Sequence, residues 1–160
     1  MLDDLKYIAQ KDPQDALGVA VEQPKQLLYS NFEFKPFDIK GVRNIVVAGM
    51  GGSPFPGLIC KTWFSDELKL PFEIIRDYNL PEYVNKETLV IASSYSGNTE
   101  ETLSALAQAK TKGAKIIILA AGGKLADIAK AENYPFLEVP NGQNLLQRLA
   151  GCLKLTDGLF

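Results

Sequence analysis

The sequence predicts an α/β domain built as a three-layer sandwich, in which helices cover both faces of a five-stranded parallel sheet. Short runs of valine, isoleucine and leucine alternate with segments of helical periodicity from residue 43 onward. Because these runs are almost continuously apolar, the strands are expected to be buried on both faces, which is typical of parallel sheets. Right-handed crossovers between such strands produce a doubly wound fold.

The chain of 160 residues is predicted to contain an N-terminal helical and connecting segment, 1–40, followed by the α/β domain, 41–160. In the first segment, Asp12 and Pro13 indicate a helix start, with Asp12 as the N-cap and Pro13 in the first turn. The aromatic residues Phe32, Phe34 and Phe37 are expected to pack as a connecting segment.

Strands and helices alternate through the predicted domain. The five predicted strands are 44–48, 72–75, 88–92, 115–120 and 136–139. After the first strand, Ser53 is expected to cap a helix that Pro54 opens. After the third, Asn98 is expected to begin a helix that ends at Gly113. Further helices are predicted at 124–133 and 144–155.

Composition excludes several kinds of active site. The chain contains no histidine, which excludes a Ser-His-Asp triad and any histidine metal ligand within it. Its two cysteines, Cys60 and Cys152, lie far apart in apolar stretches and are expected to be buried, reduced thiols. No metal or cofactor is expected.

Charge and hydropathy predict a soluble, cytoplasmic protein. The net charge is −2 with the two signs well mixed, which argues against a nucleic-acid or membrane-binding surface. Residues 1–11 lack the apolar core of an export signal, and the longest apolar run, 116–121, is too short to cross a bilayer.

In a doubly wound sheet, ligands bind where the strand order reverses, beside the carboxyl ends of the strands. The loop after the first strand, GMGGS at 49–53, has three glycines that let a ligand approach the backbone closely. It is not a dinucleotide motif, because Pro54 stands where the last glycine would be and Asp77 lies well beyond the roughly 20 residues expected for a ribose ligand. A plain tight turn is the alternative interpretation.

The loop after the third strand is the most informative part of the sequence. Four small residues with hydroxyl side chains fall within seven positions: Ser93, Ser94, Ser96 and Thr99. Hydroxyls combined with free backbone N–H groups at a helix N-terminus form an anion site. Since each charge-assisted hydrogen bond contributes about 1.5–3 kcal/mol, four or five donors suffice for one phosphate. No GK[ST] sequence follows, so a small monophosphate is expected; the alternative is that these residues only cap their own helix.

These two loops together resemble a known family. GMGGS at 49–53 followed by SYSGNTEET at 94–102 is similar to the SIS (sugar isomerase) phosphosugar-binding domain, and most similar to the bifunctional phosphoglucose/phosphomannose isomerase family. RDYNLP at 76–81 and GGKLA at 122–126 also match, and the resemblance covers roughly 40–140. It implies a flavodoxin-like sheet, a homodimer and no cofactor.

The resemblance also implies roles for individual residues. Ser94, Ser96 and Thr99 would bind the sugar phosphate, and Gly51, Gly52 and Ser53 would line the sugar. Arg148 would stabilise the enediolate charge, although the family's Gln-Pro-Arg sequence is absent there, and a solvated helix arginine is the alternative.

Relatives in this family carry a second SIS domain that supplies a glutamate base and a histidine, so the chain resembles an N-terminal half, a shortened chain or a stand-alone relative. Glu100 and Glu101 are expected to complement the helix dipole rather than to act as bases. The implied function is phosphosugar binding within an isomerase that converts glucose 6-phosphate or mannose 6-phosphate to fructose 6-phosphate. The alternatives are a non-catalytic phosphosugar sensor and, less well matched, a nicotinamide-dependent enzyme.

Overall fold

The structure, a computed structural model, describes residues 3–22 and 38–139. Its elements in chain order are α1 (Leu5–Lys11), α2 (Ala16–Glu22), β1 (Asn44–Ala48), α3 (Phe55–Trp63), β2 (Phe72–Ile75), β3 (Thr88–Ser93), α4 (Glu100–Thr111), β4 (Lys115–Ala120), α5 (Gly123–Glu132) and β5 (Phe136–Glu138). All five predicted strands are confirmed. Two of their ends move by one residue, because β3 continues to Ser93 and β5 stops at Glu138.

The five strands form one parallel sheet in the order β2-β1-β3-β4-β5. The chain moves outward in one direction from β1 to β2, then crosses back to β3 and continues in the opposite direction. The strand order therefore reverses between β1 and β3, which confirms the predicted doubly wound α/β fold.

Helices lie on both faces of the sheet. On one face, α4 and α5 bury Leu106, Leu125 and small alanines against alternate residues of the strands, such as Val46 and Val90. On the other face, α3 contacts the sheet through Gly57, where a Cβ atom would lie 3.1 Å from Ile74 and 3.2 Å from Val47. The missing side chain of Gly57 lets the helix approach the sheet closely, which offsets the cost of glycine in a helix.

The residues at the carboxyl ends of the three central strands are small. Ala48, Ala92 and Ala120 belong to the cluster that faces α4, and each is at most 1% exposed. Their small side chains leave room for the first turn of α4 to lie close to the sheet edge. This edge is the one from which the two predicted ligand loops leave.

Three predicted helix starts are wrong by one or more residues. The N-cap of α3 is Pro54, not Ser53, because Ser53 uses its hydroxyl on a neighbouring loop instead. The N-cap of α4 is Thr99, not Asn98, whose side chain contacts the start of α5. The N-cap of α5 is Gly122, which makes no side-chain capping bond, and α5 begins at Gly123, one residue before its predicted start.

The N-terminal segment also differs from its prediction. The helix expected to begin at Asp12 and Pro13 begins at Ala16, and the unpredicted α1 ends at Lys11. Asp12 is the C-cap of α1, while its carboxylate accepts hydrogen bonds from the amides of Ala16 and Leu17, both at 2.8 Å. One residue therefore serves two helices, because the Asp12 backbone N–H donates to the Ile8 carbonyl of α1 while its carboxylate bonds the start of α2. Pro13 and Gln14 lie in the turn between the helices. Neither helix has a buried residue.

Several predictions fall outside the described residues. These are the aromatic segment with Phe32, Phe34 and Phe37, the helix 144–155, Cys152 and Arg148. The prediction for Cys60 is confirmed, since it is buried and forms no disulfide. In the described ranges, no helix has the length and apolar character needed to cross a membrane.

Candidate functional site

The loops after β1 and β3 meet at the point where the strand order reverses. Ala48 and Ala92 are paired at the ends of these strands, so the loops that follow leave the same edge of the sheet side by side. The Ser93 hydroxyl donates to the Ser53 carbonyl at 2.8 Å, and the Tyr95 amide donates to the Ser53 hydroxyl at 3.1 Å. Ser53 thus joins the two predicted ligand loops into one surface.

The glycines of the first loop serve two different purposes. A Cβ atom on Gly49 would lie 2.5 Å from the Ser93 carbonyl oxygen, so this position needs glycine for the close approach of β1 and β3. Gly51 has a φ of +56°, and a Cβ atom there would meet nothing within 4 Å. Gly51 and Gly52 are exposed and border open space, whereas Ser53 is half-buried. A ligand can therefore reach the backbone of this loop.

The second loop places two predicted phosphate ligands in direct contact. The hydroxyls of Ser94 and Thr99 lie 2.7 Å apart and share a hydrogen bond, although they are five positions apart in sequence. The Gly97 amide donates to the Ser94 hydroxyl at 3.2 Å. Ser94 is only 1% exposed, so it forms the floor of the loop, and Thr99 is half-buried above it.

Ser96, the third predicted phosphate ligand, is exposed on the same loop. Its hydroxyl accepts from the Asn98 amide at 3.3 Å, which leaves the hydroxyl hydrogen available to donate. The structure therefore brings Ser94 and Thr99 into contact at the start of α4, and Ser96 lies on the same loop. Gly51, Gly52 and Ser53 lie on the adjoining loop, and the binding roles of all six residues stay predictions.

The start of α4 adds backbone donors to these hydroxyls. Thr99 is the N-cap of α4 but makes no side-chain capping bond. First-turn amides of a helix lack intrahelical acceptors and carry the positive end of the helix dipole. An anion at this point would accept hydrogen bonds from both the amides and the hydroxyls, which is the arrangement that binds phosphate groups.

A third loop, after β4, holds the hydroxyl-rich loop in place. Gly97 has a φ of +67°, and a Cβ atom there would lie 1.8 Å from the carbonyl oxygen of Gly122. The Leu125 amide donates to the Gly97 carbonyl at 3.0 Å, and the Lys124 amide donates to Asn98 Oδ1 at 3.1 Å. The N-terminus of α5 therefore anchors the loop that contains Ser96. This role was not predicted from the sequence, although the glycine pair at 122–123 is a signal for it.

The loop after β2 is fixed to α4 by a side chain that the sequence did not single out. The Gln108 amide group donates to the Tyr78 carbonyl at 2.7 Å and accepts from the Leu80 amide at 3.0 Å. Gln108 lies in the C-terminal half of α4 and is half-buried, which no pattern in the sequence reveals. Its two bonds hold the loop after β2 against this half of α4.

Carboxylates surround the first turn of α4. The Tyr78 hydroxyl donates to Glu100 at 3.3 Å. The negative charge of Glu101, then burial and the charge of Glu100, raise the pKa of Tyr78. Glu100 is exposed and Glu101 half-buried, at the positive end of the helix dipole. Their positions match the expected dipole-complementing role.

Arg148, the predicted charge stabiliser, lies outside the described residues, so its role stays a prediction. Within residues 3–22 and 38–139, no group of three or more acidic or cysteine side chains could hold a metal ion. The hydroxyls and amides described above can donate hydrogen bonds to an anion at this edge.

Comparison with known proteins agrees with this geometry. The SIS domain family model matches residues 38–134. A bifunctional phosphoglucose/phosphomannose isomerase of Caldicellulosiruptor bescii is 48% identical over 101 residues, which cover 63% of this chain and 30% of that protein. A D-glucosamine-6-phosphate 4-epimerase of Sulfolobus acidocaldarius is 40% identical over 109 residues, which cover 66% of this chain and 34% of that protein. This chain spans about a third of the length of these relatives.

Solved structures show the same fold. Tagatose-6-phosphate ketose/aldose isomerase from Escherichia coli superposes with a TM-score of 0.57 at 21% identity, over 89% of this chain and 41% of the other. At 21% identity, this structural similarity supports only a shared fold. The family model, in contrast, matches more than half of the sequence, and it includes both ligand loops. The chain therefore belongs to the SIS domain family.

Proposed function

We propose that this chain binds a phosphosugar and serves as the substrate-binding domain of an isomerase that converts glucose 6-phosphate or mannose 6-phosphate to fructose 6-phosphate. The observation that carries the proposal is the cluster of Ser94, Ser96 and Thr99 hydroxyls at the uncapped start of α4. The names of the relatives that share these loops at up to 48% identity support the choice of substrate class.

The phosphate is proposed to bind to the hydroxyl-rich loop, and the sugar to the glycine loop beside it. Ser96 and Thr99 are accessible enough to donate hydrogen bonds, and Ser94 lies directly beneath Thr99. Gly51 and Gly52 present bare backbone to the sugar, and Ser53 connects the loops. A site of neutral donors suits a single phosphate because each charge-assisted hydrogen bond contributes about 1.5–3 kcal/mol.

Aldose–ketose isomerisation moves a proton between two neighbouring carbons through an enediolate, and it needs a base and a group that stabilises the negative charge. Arg148 is the proposed stabiliser. Glu100 and Glu101 lie in the first turn of α4, at the positive end of its dipole. We assign these two carboxylates to stabilising the helix and not to the role of base. The sequence has no histidine, so a base and a ring-opening imidazole are proposed to come from outside these 160 residues.

The same proposal includes a cytoplasmic location and homodimeric assembly, both implied by the family resemblance. It also includes the division of the chain into an N-terminal segment, 1–40, and a phosphosugar-binding domain, 41–160. The family model begins at residue 38, close to this boundary.

Calorimetry with fructose 6-phosphate tests the proposal directly. The chain is expected to bind fructose 6-phosphate at micromolar to millimolar affinity and to bind fructose, which lacks the phosphate, far more weakly. Thr99→Val is expected to weaken binding by about 5- to 150-fold, because it removes a hydrogen bond worth about 1–3 kcal/mol. Ser65→Ala is the matched control, since Ser65 is an exposed hydroxyl outside both loops. Equal binding of fructose and fructose 6-phosphate would contradict the proposal.

An isomerase assay separates catalysis from simple binding. The assay mixes this chain with the part of a full-length relative that lies beyond the region the chain matches. If the chain is the substrate-binding domain of an isomerase, this mixture is expected to turn over glucose 6-phosphate. A phosphosugar sensor would bind the sugar phosphate and show no turnover in that mixture.

A further inference from the structure

Thr102, in the first turn of α4, has a buried hydroxyl that the site described so far does not use. The residue is 0% exposed. Among the described residues, Thr102 Oγ1 is the buried side-chain oxygen or nitrogen without a hydrogen-bond partner. A helical threonine commonly bonds the carbonyl four residues earlier, as Thr62 and Thr111 do here at 3.0 Å. Thr102 does not, although leaving a buried hydroxyl unpaired costs about 1–3 kcal/mol.

Helix geometry places Thr102 close to Thr99 at the start of α4. Thr102 follows Thr99 by three residues, so the two lie on neighbouring turns of one helix face. Helical side chains lean toward the N-terminus of their helix, which for Thr102 is the direction of Thr99. Thr102 also begins the sheet-facing stripe of α4 that continues with Ala105 and Leu106.

Ser94 points to the same layer of the fold. Ala92 is part of the cluster between the sheet and α4, and Ser94 follows it by two residues, directly after the end of β3 at Ser93. Side chains two residues apart on a strand share a face. The contact of Ser94 with Thr99, the N-cap of α4, confirms this placement. The hydroxyls of Ser94, Thr99 and Thr102 therefore occupy one layer at the carboxyl edge of the sheet.

Counting hydrogens shows why a third hydroxyl matters. Ser94 and Thr99 have one hydroxyl hydrogen each, and one of the two is used in the bond between them. A phosphate that accepts from both hydroxyls must break that bond. The Ser94 oxygen still accepts from the Gly97 amide, whereas no other donor to the Thr99 hydroxyl oxygen is seen among the described residues. If Thr99 had been the acceptor, its oxygen would be left without a donor, and an unpaired polar atom beside a buried layer is costly.

We propose that Thr102 is a positioning residue of the phosphate site, whose hydroxyl donates to Thr99 when a phosphate ester takes the hydroxyl hydrogens of both Ser94 and Thr99. This inference rests on the proposed phosphosugar function. In the ligand-bound protein, a relay of hydroxyl groups runs from Thr102 through Thr99 to the phosphate, and Ser94 donates to the same phosphate. Each hydroxyl in such a chain strengthens the next as a donor.

Two substitutions at this position separate the hydroxyl from the methyl group. Thr102→Val keeps the shape and removes the hydroxyl, whereas Thr102→Ser keeps the hydroxyl and removes the methyl. We expect Thr102→Val to weaken fructose 6-phosphate binding about tenfold, the effect of one lost hydrogen bond. We expect its thermal stability without ligand to be unchanged or higher, because an unpaired buried hydroxyl is replaced by a methyl. Thr102→Ser should retain affinity within about threefold of the unsubstituted chain, since its hydroxyl is kept.

Calorimetry and thermal unfolding of the three chains, with fructose 6-phosphate and with inorganic phosphate as probes, give distinguishable outcomes. No binding of either probe by the unsubstituted chain overturns the phosphosugar proposal together with this inference. If the unsubstituted chain binds but Thr102→Val binds equally well, this inference alone is wrong. Loss of ligand-free stability in Thr102→Val also overturns it, because the hydroxyl would then have a structural role. Weaker binding by Thr102→Ser than by Thr102→Val would overturn it as well.

Discussion

Substituting Gly97 with alanine tests how the hydroxyl-rich loop is held in place. The backbone of Gly97 has a φ of +67°, a left-handed conformation that L-residues with a side chain adopt at a cost of about 1–2 kcal/mol. The added methyl would also lie 1.8 Å from the Gly122 carbonyl oxygen, a backbone atom that cannot rotate away. The loop and the start of α5 must therefore separate.

The separation has a magnitude that follows from the contacts it breaks. The Leu125 amide would lose the Gly97 carbonyl, and the Lys124 amide would lose Asn98 Oδ1. At about 0.5–1.5 kcal/mol for each bond, these two contribute roughly 1–3 kcal/mol. With the backbone strain, Gly97→Ala is expected to lower the free energy of unfolding by about 2–5 kcal/mol.

Gly113 provides a matched control for this substitution. Its φ is +68°, nearly the same as that of Gly97, but a Cβ atom on Gly113 would meet nothing within 4 Å. Gly113→Ala should therefore show the backbone strain alone, about 1–2 kcal/mol. Urea unfolding of both variants measures the difference, and calorimetry with fructose 6-phosphate shows whether Gly97→Ala also loses the ligand. Equal destabilisation by the two substitutions would refute the reasoning, because the clash with Gly122 would then contribute nothing.

Two further predictions concern the side chains around β2. Gln108→Ala should lower the free energy of unfolding by about 1–3 kcal/mol, since it removes the bonds to the Tyr78 carbonyl and the Leu80 amide. Gln14→Ala, at an exposed turn, is the control, and urea unfolding with no difference between the two variants would contradict the assigned role of Gln108. Burial, together with the carboxylate of Glu73, raises the pKa of Tyr83 to about 12. The protonated Tyr83 hydroxyl therefore stabilises the folded chain fully below pH 10, and this stabilisation is lost as the pH rises toward 12. Between pH 10 and 12, the free energy of unfolding of Tyr83→Phe should therefore fall less than that of the unsubstituted chain. Urea unfolding that shows the same loss of stability for both chains across that interval would exclude this effect.

The strands were predictable because burial on both sheet faces demands continuous apolar runs, and such runs are visible in any single sequence. All five strands lie within one residue of their predicted ends. Helix starts were less predictable. Ser53 and Asn98 are good capping residues by type, yet each uses its side chain on another loop.

The residue types of the candidate site were also predictable, because hydroxyls and glycines at strand ends indicate an anion site by their chemistry. The roles of Gln108 and Thr102 were not. An amide within a helix has no distinctive pattern in sequence, and its function depends on a backbone that lies 28 to 30 residues away. A lone threonine in a helix is equally ordinary until its burial and unpaired hydroxyl are known.

The layered α/β architecture, the two candidate loops and the lack of histidine in these 160 residues can be read from the sequence, because each depends only on which residues occur and at what spacing. Three features appear only in the folded chain: the hydrogen bond between Ser94 and Thr99, the bonds by which Ser53 joins the two loops, and the anchoring of Gly97 by α5. Hydrogen bonds between loops depend on distances of a few tenths of an ångström, and only the packed sheet brings those loops together.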